Sequence, residues 1–198
     1  MLLPMSEMLQ LRAWLVGIDP EVHRTPVFDP RLTLNQLHTA LQIAFDWQYC
    51  HMHRFHQKDG TRCGLPSRFD REVNDERKLR LDAIFDRKRT RLPYEYDLGD
   101  SWMHGVEFEE TVQSETIDYP FETFISEGKG VFSGKKRAAK CIAGALAGPP
   151  ENCGGIFGYF EMLKLKKNPS AAKLRDDKEK LEWLGDWEPD PFDLSIVN

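Results

Sequence analysis

Two runs of strict alternation, separated by a short turn, constrain this chain more than any other feature. Leu92, Tyr94, Tyr96 and Leu98 alternate with Pro93, Glu95 and Asp97. After a turn around Gly99, Trp102, His104, Val106 and Phe108 alternate with Met103, Gly105, Glu107 and Glu109. Successive side chains of a strand point to opposite faces, so each arm collects its apolar set on one face. The pair reads as a hairpin of half-buried strands. A sheet with such a face must cover it, and helices are the available cover.

The rest of the chain fits that demand. Leu9, Leu11, Ala13 and Leu15 alternate with Gln10, Arg12 and Trp14, and Gly17-Ile18-Asp19-Pro20 is turn chemistry. Residues 22–28 read as the returning strand. Leu34, Leu37, His38, Leu41, Ala44 and Phe45 then fall at helical spacing on one face. Thr33 and Gln36 form a capping box at that helix start, with Leu32 and Leu37 placed as a hydrophobic staple; the helix should end near Asp46. Residues 51–57 read as a short strand, 58–78 as a long polar loop, and 79–85 as one or two helical turns. Residues 126–140, rich in Gly, Lys and Arg, are expected to be a mobile surface loop, and 141–143 a short strand. Ile156, Tyr159, Phe160 and Leu163 mark a later helix. Leu174, Leu181 and Leu184 mark another, more charged one over 171–184. The tail, with Trp187, Phe192, Leu194 and Ile196, should dock. Strands early and paired as hairpins, with helices late, predict an α+β fold: an antiparallel sheet with helices packed on it and a helical C-terminal part. One domain over 1–198 is expected, with residues 1–7 flexible.

Composition narrows the function classes. Hydrophobic residues make up 40% and charged residues 30% of the 198, which suits a globular chain rather than a disordered one. A net charge of -5 argues against a dedicated nucleic-acid binder, which is more often basic. No apolar run approaches the ~18 residues a membrane helix needs, so no membrane partner is expected. The start lacks the basic and long apolar regions of a secretory signal, and a cytoplasmic location is expected. Cys50, Cys63, Cys141 and Cys153 are widely spaced and read as free thiols.

Common catalytic signatures fail. Gly130-Val131-Phe132-Ser133-Gly134-Lys135-Lys136 is one residue short of a phosphate-binding loop and has Lys136 where Ser or Thr would hold magnesium. The nucleophilic serine elbow and the H-E-x-x-H zinc motif are absent. Other residues carry weaker signals. His51 and His53, two apart on a strand, would share a face about 6.6 Å apart and converge on a metal if a third ligand arrived; the plain alternative is a hydrogen-bonded pair. A Cys50, His51, His53 and Cys63 zinc set matches no standard finger spacing. Asp97 and Asp100 suit a tight turn, while His104 lies on the apolar face with Trp102 and Val106. Together they are either a turn beside a buried histidine or a carboxylate–imidazole pair for base or metal chemistry. Glu151 and Asn152 precede two glycines and a helix start, as a capped turn or an anion site at the helix N-terminus. His38 reads as a core histidine. The basic runs at Arg77-Lys78-Leu79-Arg80, Arg87-Lys88-Arg89-Thr90-Arg91 and Lys135-Lys136-Arg137 would be a solvated face or a phosphate-contacting patch.

Several of these stretches, taken in order, resemble one family. Residues 14–47, His51-Met52-His53-Arg54-Phe55, Tyr94-Glu95-Tyr96-Asp97-Leu98-Gly99-Asp100-Ser101-Trp102-Met103-His104, Pro149-Pro150-Glu151-Asn152-Cys153-Gly154-Gly155 and the ending from Trp187 through Leu194 are similar to the plasmid pRi ORF-three-like family. Its members are also described as insertion-element passenger TnpR-like proteins. The family pattern falls on His51, His53, Phe55, Tyr96, Asp97, Gly99, Asp100, Trp102, His104, Pro150, Glu151, Gly154 and Gly155. The chain departs at Leu98, where the family has Phe, and at Ser101, where it has Gly. The resemblance implies an α+β domain carried on plasmids, mobile elements and chromosomes, largely without an assigned biochemical activity; the TnpR-like label suggests a role near transposition, but the chain shows no serine-recombinase signature.

Two functional expectations stand side by side. One is a binding or regulatory module associated with transposable elements, with a protein or nucleic-acid partner. The other is a metal-assisted hydrolase, using a divalent metal on His51, His53 and His104 with Asp97, Asp100 and Glu151 as catalytic carboxylates. The second requires the three segments to meet in space.

Overall fold

A computed structural model describes residues 7–67, 72–86, 89–113, 139–172, 174–190 and 192–195. Among these residues eight strands form one sheet: β1 (Glu7–Leu15), β2 (His23–Phe28), β3 (His53–His56), β4 (Arg62–Gly64), β5 (Asn74–Asp75), β6 (Arg91–Tyr96), β7 (Trp102–Gln113) and β8 (Ala139–Ala145). Their order across the sheet is β5-β4-β3-β6-β7-β1-β2-β8. Neighbours pair antiparallel throughout except β4 and β5, a parallel pair at one edge. The fold is α+β, as the alternation predicts.

The hairpin of β6 and β7 sits mid-sheet, with Tyr94 opposite His104 and Tyr96 opposite Trp102. Helix α1 (Leu34–Ala44) lies on the apolar face. Its N-terminus carries the capping box: Gln36 N–H bonds the Thr33 hydroxyl, and Thr33 N–H donates to Gln36 Oε1 at 2.9 Å. Leu34, Leu37 and Leu41 of α1 join Leu11, Ala13, Leu92, Tyr94, Val106 and Phe55 from four strands in the buried core. Burying each such Leu contributes roughly 1.5–3 kcal/mol. Arg24 lies in that core too. Its Nε donates 2.5 Å to the Ala44 carbonyl at the end of α1, and its guanidinium sits over the Phe45 and Phe192 rings. A cation at a helix C-terminus satisfies carbonyls that the helix leaves open.

Several boundaries differ from the sequence expectation. The stretch 58–78 is not simply a loop: it holds β4, β5 and a 3-10 turn at Glu76–Lys78. Strands of two and three residues are too short to show a period. The strand expected from residue 51 begins at His53, so His51 lies before it. Residues 79–85 carry a single helical turn, α2 (Leu81–Ile84), and β8 extends well beyond 141–143. Ala139 and Lys140, placed by sequence in a mobile loop, pair with Phe28 and Val27. Glu7, expected to be flexible, pairs with Gln113. The loop expectation for 126–138, the phosphate-loop look-alike, the Lys135-Lys136-Arg137 run and part of the 87–91 run lie outside the described residues.

Helix α3 (Gly155–Lys167) buries Tyr159 and Met162, and α4 (Arg175–Leu184) buries Leu184. Leu174 is exposed at the start of α4 rather than on its apolar stripe. Trp187 and Phe192 dock: the Trp187 indole donates to the Gly148 carbonyl at 3.2 Å, and Phe192 packs on Arg24. Leu194 is exposed, and Ile196 lies outside the described residues. Among the described residues no helix is long and apolar enough to cross a membrane.

Candidate functional site

Two polar clusters stand at the β3–β6 side of the sheet. The first begins at the backbone. Tyr49 N–H donates to Gln42 Oε1 at 3.2 Å, which orients the Gln42 amide so that its Nε2 donates to Tyr94 Oη at 3.1 Å. Tyr94 is then free to donate its own hydrogen to His38 Nδ1, 2.7 Å away. That direction leaves the His38 hydrogen on Nε2. The His38 ring stacks on His53, with centroids 3.5 Å apart and planes 8° off parallel. His53 Nε2 meets Glu76 Oε2 at 2.8 Å, and Asn35 donates to the other Glu76 oxygen at 2.9 Å. Glu76 is fully buried. Burial holds His38 well below the ordinary histidine pKa, with the neighbouring His53 adding to the effect. Neutral His38 is the acceptor that Tyr94 needs.

Both imidazoles line a cavity of about 750 Å³, together with Tyr49, His51, Met52 and Leu65. Tyr49, Met52 and Leu65 are exposed apolar side chains at its rim. His38 Nε2 and His53 Nδ1 have no partner among the described residues.

The second cluster is built from three turns. Trp47 Nε1 donates to the Pro149 carbonyl at 2.8 Å, tying the segment after α1 to the turn before α3. Across that tie, Glu151 Oε1 accepts from Tyr96 Oη at 2.5 Å and from Gln48 N–H at 3.1 Å. Glu151 Oε2 accepts from the Cys50 thiol at 2.6 Å. His51 Nε2 lies 2.9 Å from Asn152 Oδ1, 3.5 Å from Asp97 Oδ2 and 3.9 Å from Glu151 Oε2. One ring nitrogen thus faces three oxygens. Hydrogen bonding to Glu151, then burial, raises the Cys50 thiol pKa. Burial, then Glu151, raises the Tyr96 phenol. Tyr49, Asp97, Ser101 and Asn152 around this corner all take positive φ, near 53–61°. Asp and Asn bear that conformation at least cost, and such residues gather where a surrounding structure holds them.

Asp100 plays a different part from Asp97. Its Oδ2 accepts from Gly154 N–H at 3.1 Å, so the start of α3 is occupied by the chain's own carboxylate. That contact places a carboxylate beside the helix start where the sequence offered an anion site. Gly155 has φ of +65°, and a Cβ on it would stand 2.8 Å from the Asp100 carbonyl oxygen, so this close approach requires glycine. Asp97 closes its own turn by accepting from Gly99 N–H at 3.0 Å and, at 3.3 Å, from Asp100 N–H.

The structure therefore brings His51, Asp97 and Glu151 together and separates them from His53 and His104. His53 belongs to the Glu76 cluster. His104 is fully buried among Phe45, Trp47 and Tyr94. Its Nδ1 donates to the Trp102 carbonyl at 2.9 Å, leaving Nε2 a buried acceptor without a partner. Burial lowers its pKa to about 3, so the ring stays neutral. Cys63 does not join Cys50: it is buried and accepts from Gln57 Nε2 at 3.1 Å. Among the described residues, the one set of three or more candidate ligand atoms within 4.8 Å of one another is Cys50, His51 and Glu151. Sequence reasoning grouped Cys50 with His51, which the structure brings together, but also with His53 and Cys63, which it does not, and it passed over Glu76, Gln42 and Asn35. No spacing signal links Cys50 to a carboxylate 101 positions away.

The sequence model of the plasmid pRiA4b ORF-3-like protein family matches residues 7–196. The chain is 28% identical over 182 residues to "Uncharacterized protein y4hQ" of Sinorhizobium fredii, covering 91% of this chain and 82% of that protein. It is also similar to a solved structure described as a protein of unknown function, MM3350 from Methanosarcina mazei Go1. The identity there is 28%, the TM-score 0.75, and the match covers 97% of this chain and 98% of that one. The chain belongs to the plasmid pRiA4b ORF-3-like protein family.

Proposed function

We propose that this member of the plasmid pRiA4b ORF-3-like family is a binding module whose cavity receives a short segment of a protein partner. The observation that carries the reading is one cavity with an apolar rim and a polar floor. Tyr49, Met52 and Leu65 supply the rim, and the stacked His38 and His53 rings supply the floor. A volume of about 750 Å³ suits a side chain or two with the backbone between them. The floor offers a donor at His38 Nε2 and, on the adjacent ring, the His53 Nδ1 that Glu76 leaves open. A peptide or carboxamide group carries both an acceptor and a donor to meet them. The net charge of -5 favours a protein over a nucleic acid. In its finer form the reading makes the module an accessory of mobile DNA, a role near transposable elements that the family resemblance implies and to which the plasmid named in the family's description lends only the mobile-DNA part.

The test is an amide-resolved NMR titration with blocked apolar dipeptide amides, set against the corresponding N-methylated esters. The amides should shift signals around Tyr49, Met52, His53 and Leu65, and Met52→Glu with Leu65→Glu should weaken them at least tenfold. Shifts elsewhere, or equal binding by the esters, would refute the assignment.

A further inference from the structure

We propose that Cys50, His51 and Glu151 form a site for a borderline-soft divalent cation, zinc above all, at the edge of the cavity. Donors and acceptors do not match at His51. His51 Nε2 carries at most one hydrogen, yet it faces Asn152 Oδ1, Asp97 Oδ2 and Glu151 Oε2 at 2.9, 3.5 and 3.9 Å. Hydrogen-bonded side-chain corners usually match donors to acceptors. Here that hydrogen serves Asn152 at 2.9 Å, and the two further carboxylate oxygens give the corner the negative charge that a cation requires.

The ligand geometry is already close. The candidate atoms of Cys50, His51 and Glu151 lie within 4.8 Å of one another. Zinc bonds of about 2.0–2.3 Å to nitrogen, oxygen and sulfur place tetrahedral ligands roughly 3.3–3.7 Å apart. The 3.9 Å between His51 and Glu151 needs little change. The 2.6 Å between Cys50 and Glu151 must widen. It does so when the thiol proton that now bridges them leaves to solvent and the thiolate and carboxylate turn to the ion. Cys50 is exposed and His51 partly so, which gives the ion a way in.

The carboxylate is also held as a ligand carboxylate should be. Tyr96 Oη and Gln48 N–H both bind Glu151 Oε1, which leaves Oε2 turned toward Cys50 and His51. A sulfur, nitrogen and oxygen set selects zinc and its neighbours over magnesium or calcium, which prefer oxygen throughout. Three protein ligands leave a fourth position of a tetrahedral ion to water or to a bound molecule. His51 also lines the cavity, so an ion held there borders whatever the cavity binds. The site stands independently of the binding reading above.

Cobalt(II) titration of tag-free protein, prepared without chelator, tests this directly. One equivalent should bind and give a sulfur-to-cobalt charge-transfer band in the near ultraviolet. Zinc should displace the cobalt, and a large excess of magnesium should not. Cys50→Ala should abolish the band, and His51→Ala should weaken binding at least tenfold. Far-UV circular dichroism checks that both variants fold, which their surface positions favour. The wild-type spectrum decides if they do not. No charge-transfer band at one equivalent, displacement by magnesium, or unchanged titrations in folded variants would overturn the proposal.

Discussion

The two polar clusters beside the cavity solve the same problem in opposite ways. Around Glu76, each carboxylate oxygen is matched to one donor, from His53 and from Asn35, and the chain from Tyr49 N–H through Gln42 and Tyr94 ends on His38. Around Glu151 the match fails only at His51, where three oxygens stand around one ring nitrogen. The first cluster is buried within the sheet-facing core. The second hangs on turns with four residues at positive φ. A matched network fixes a fold, whereas a mismatched one is held in place by that fold and awaits a ligand.

If the contrast is right, the clusters should respond differently to loss of a carboxylate. Glu76→Ala should be the most damaging change, at about 4 kcal/mol, because it strands two buried donors. Urea unfolding measures it, and a loss below about 1 kcal/mol would erase the distinction. The next effect comes from the buried histidines. His104 has its pKa lowered to about 3 by burial, against about 6.5 when unfolded. Below pH 6.5 the unfolded chain therefore binds more protons than the folded one. Stability is unaffected by this group above pH 6.5 and falls as the pH drops toward 3. Between pH 6.5 and 4.5 the His104 share is about 2 kcal/mol, and His38 acts with the same sign. His104→Leu should flatten the acid limb of a pH series of unfolding curves by that amount. An unchanged slope would mean that the ring is protonated in the folded state.

These consequences also mark what the sequence made legible. The capping box at Thr33 and Gln36 and the β6–β7 alternation were readable because their signals are local and periodic. The Glu76 cluster was hidden. Glu76 sits in a stretch dense with charges and turn residues, and only the short 3-10 turn after β5 buries it. His51 and His53 looked like a pair because a period of two assumes a strand, and the strand starts only at His53. Asp97 and Glu151 stood out as turn residues, but their meeting with His51 depends on the Trp47–Pro149 tie, which no spacing encodes. Turn chemistry identified the right segments; only the packing of turn against turn assigned their partners.

The smallest effect sharpens the comparison most. Asp97→Asn exchanges one acceptor oxygen beside His51 for an amide donor. In metal-free protein it should be neutral or stabilising by about 0.5 kcal/mol, as relaxing a functional corner commonly is. The substitution keeps the side-chain oxygen that closes the turn onto Gly99. A clear loss of stability in thermal unfolding would place Asp97 with the matched, architectural residues instead.

The central claim is that the Cys50–His51–Glu151 corner is built for a cation, and the thermal midpoint with and without zinc tests it most directly. Binding to the folded state alone stabilises by about 2.7 kcal/mol when free zinc is a hundredfold above Kd. For a chain of this size that is a rise of roughly 5–10 °C. The account predicts such a rise for the wild type and little or none for His51→Ala. A wild-type midpoint unmoved by zinc, or an equal rise in both proteins, would contradict it.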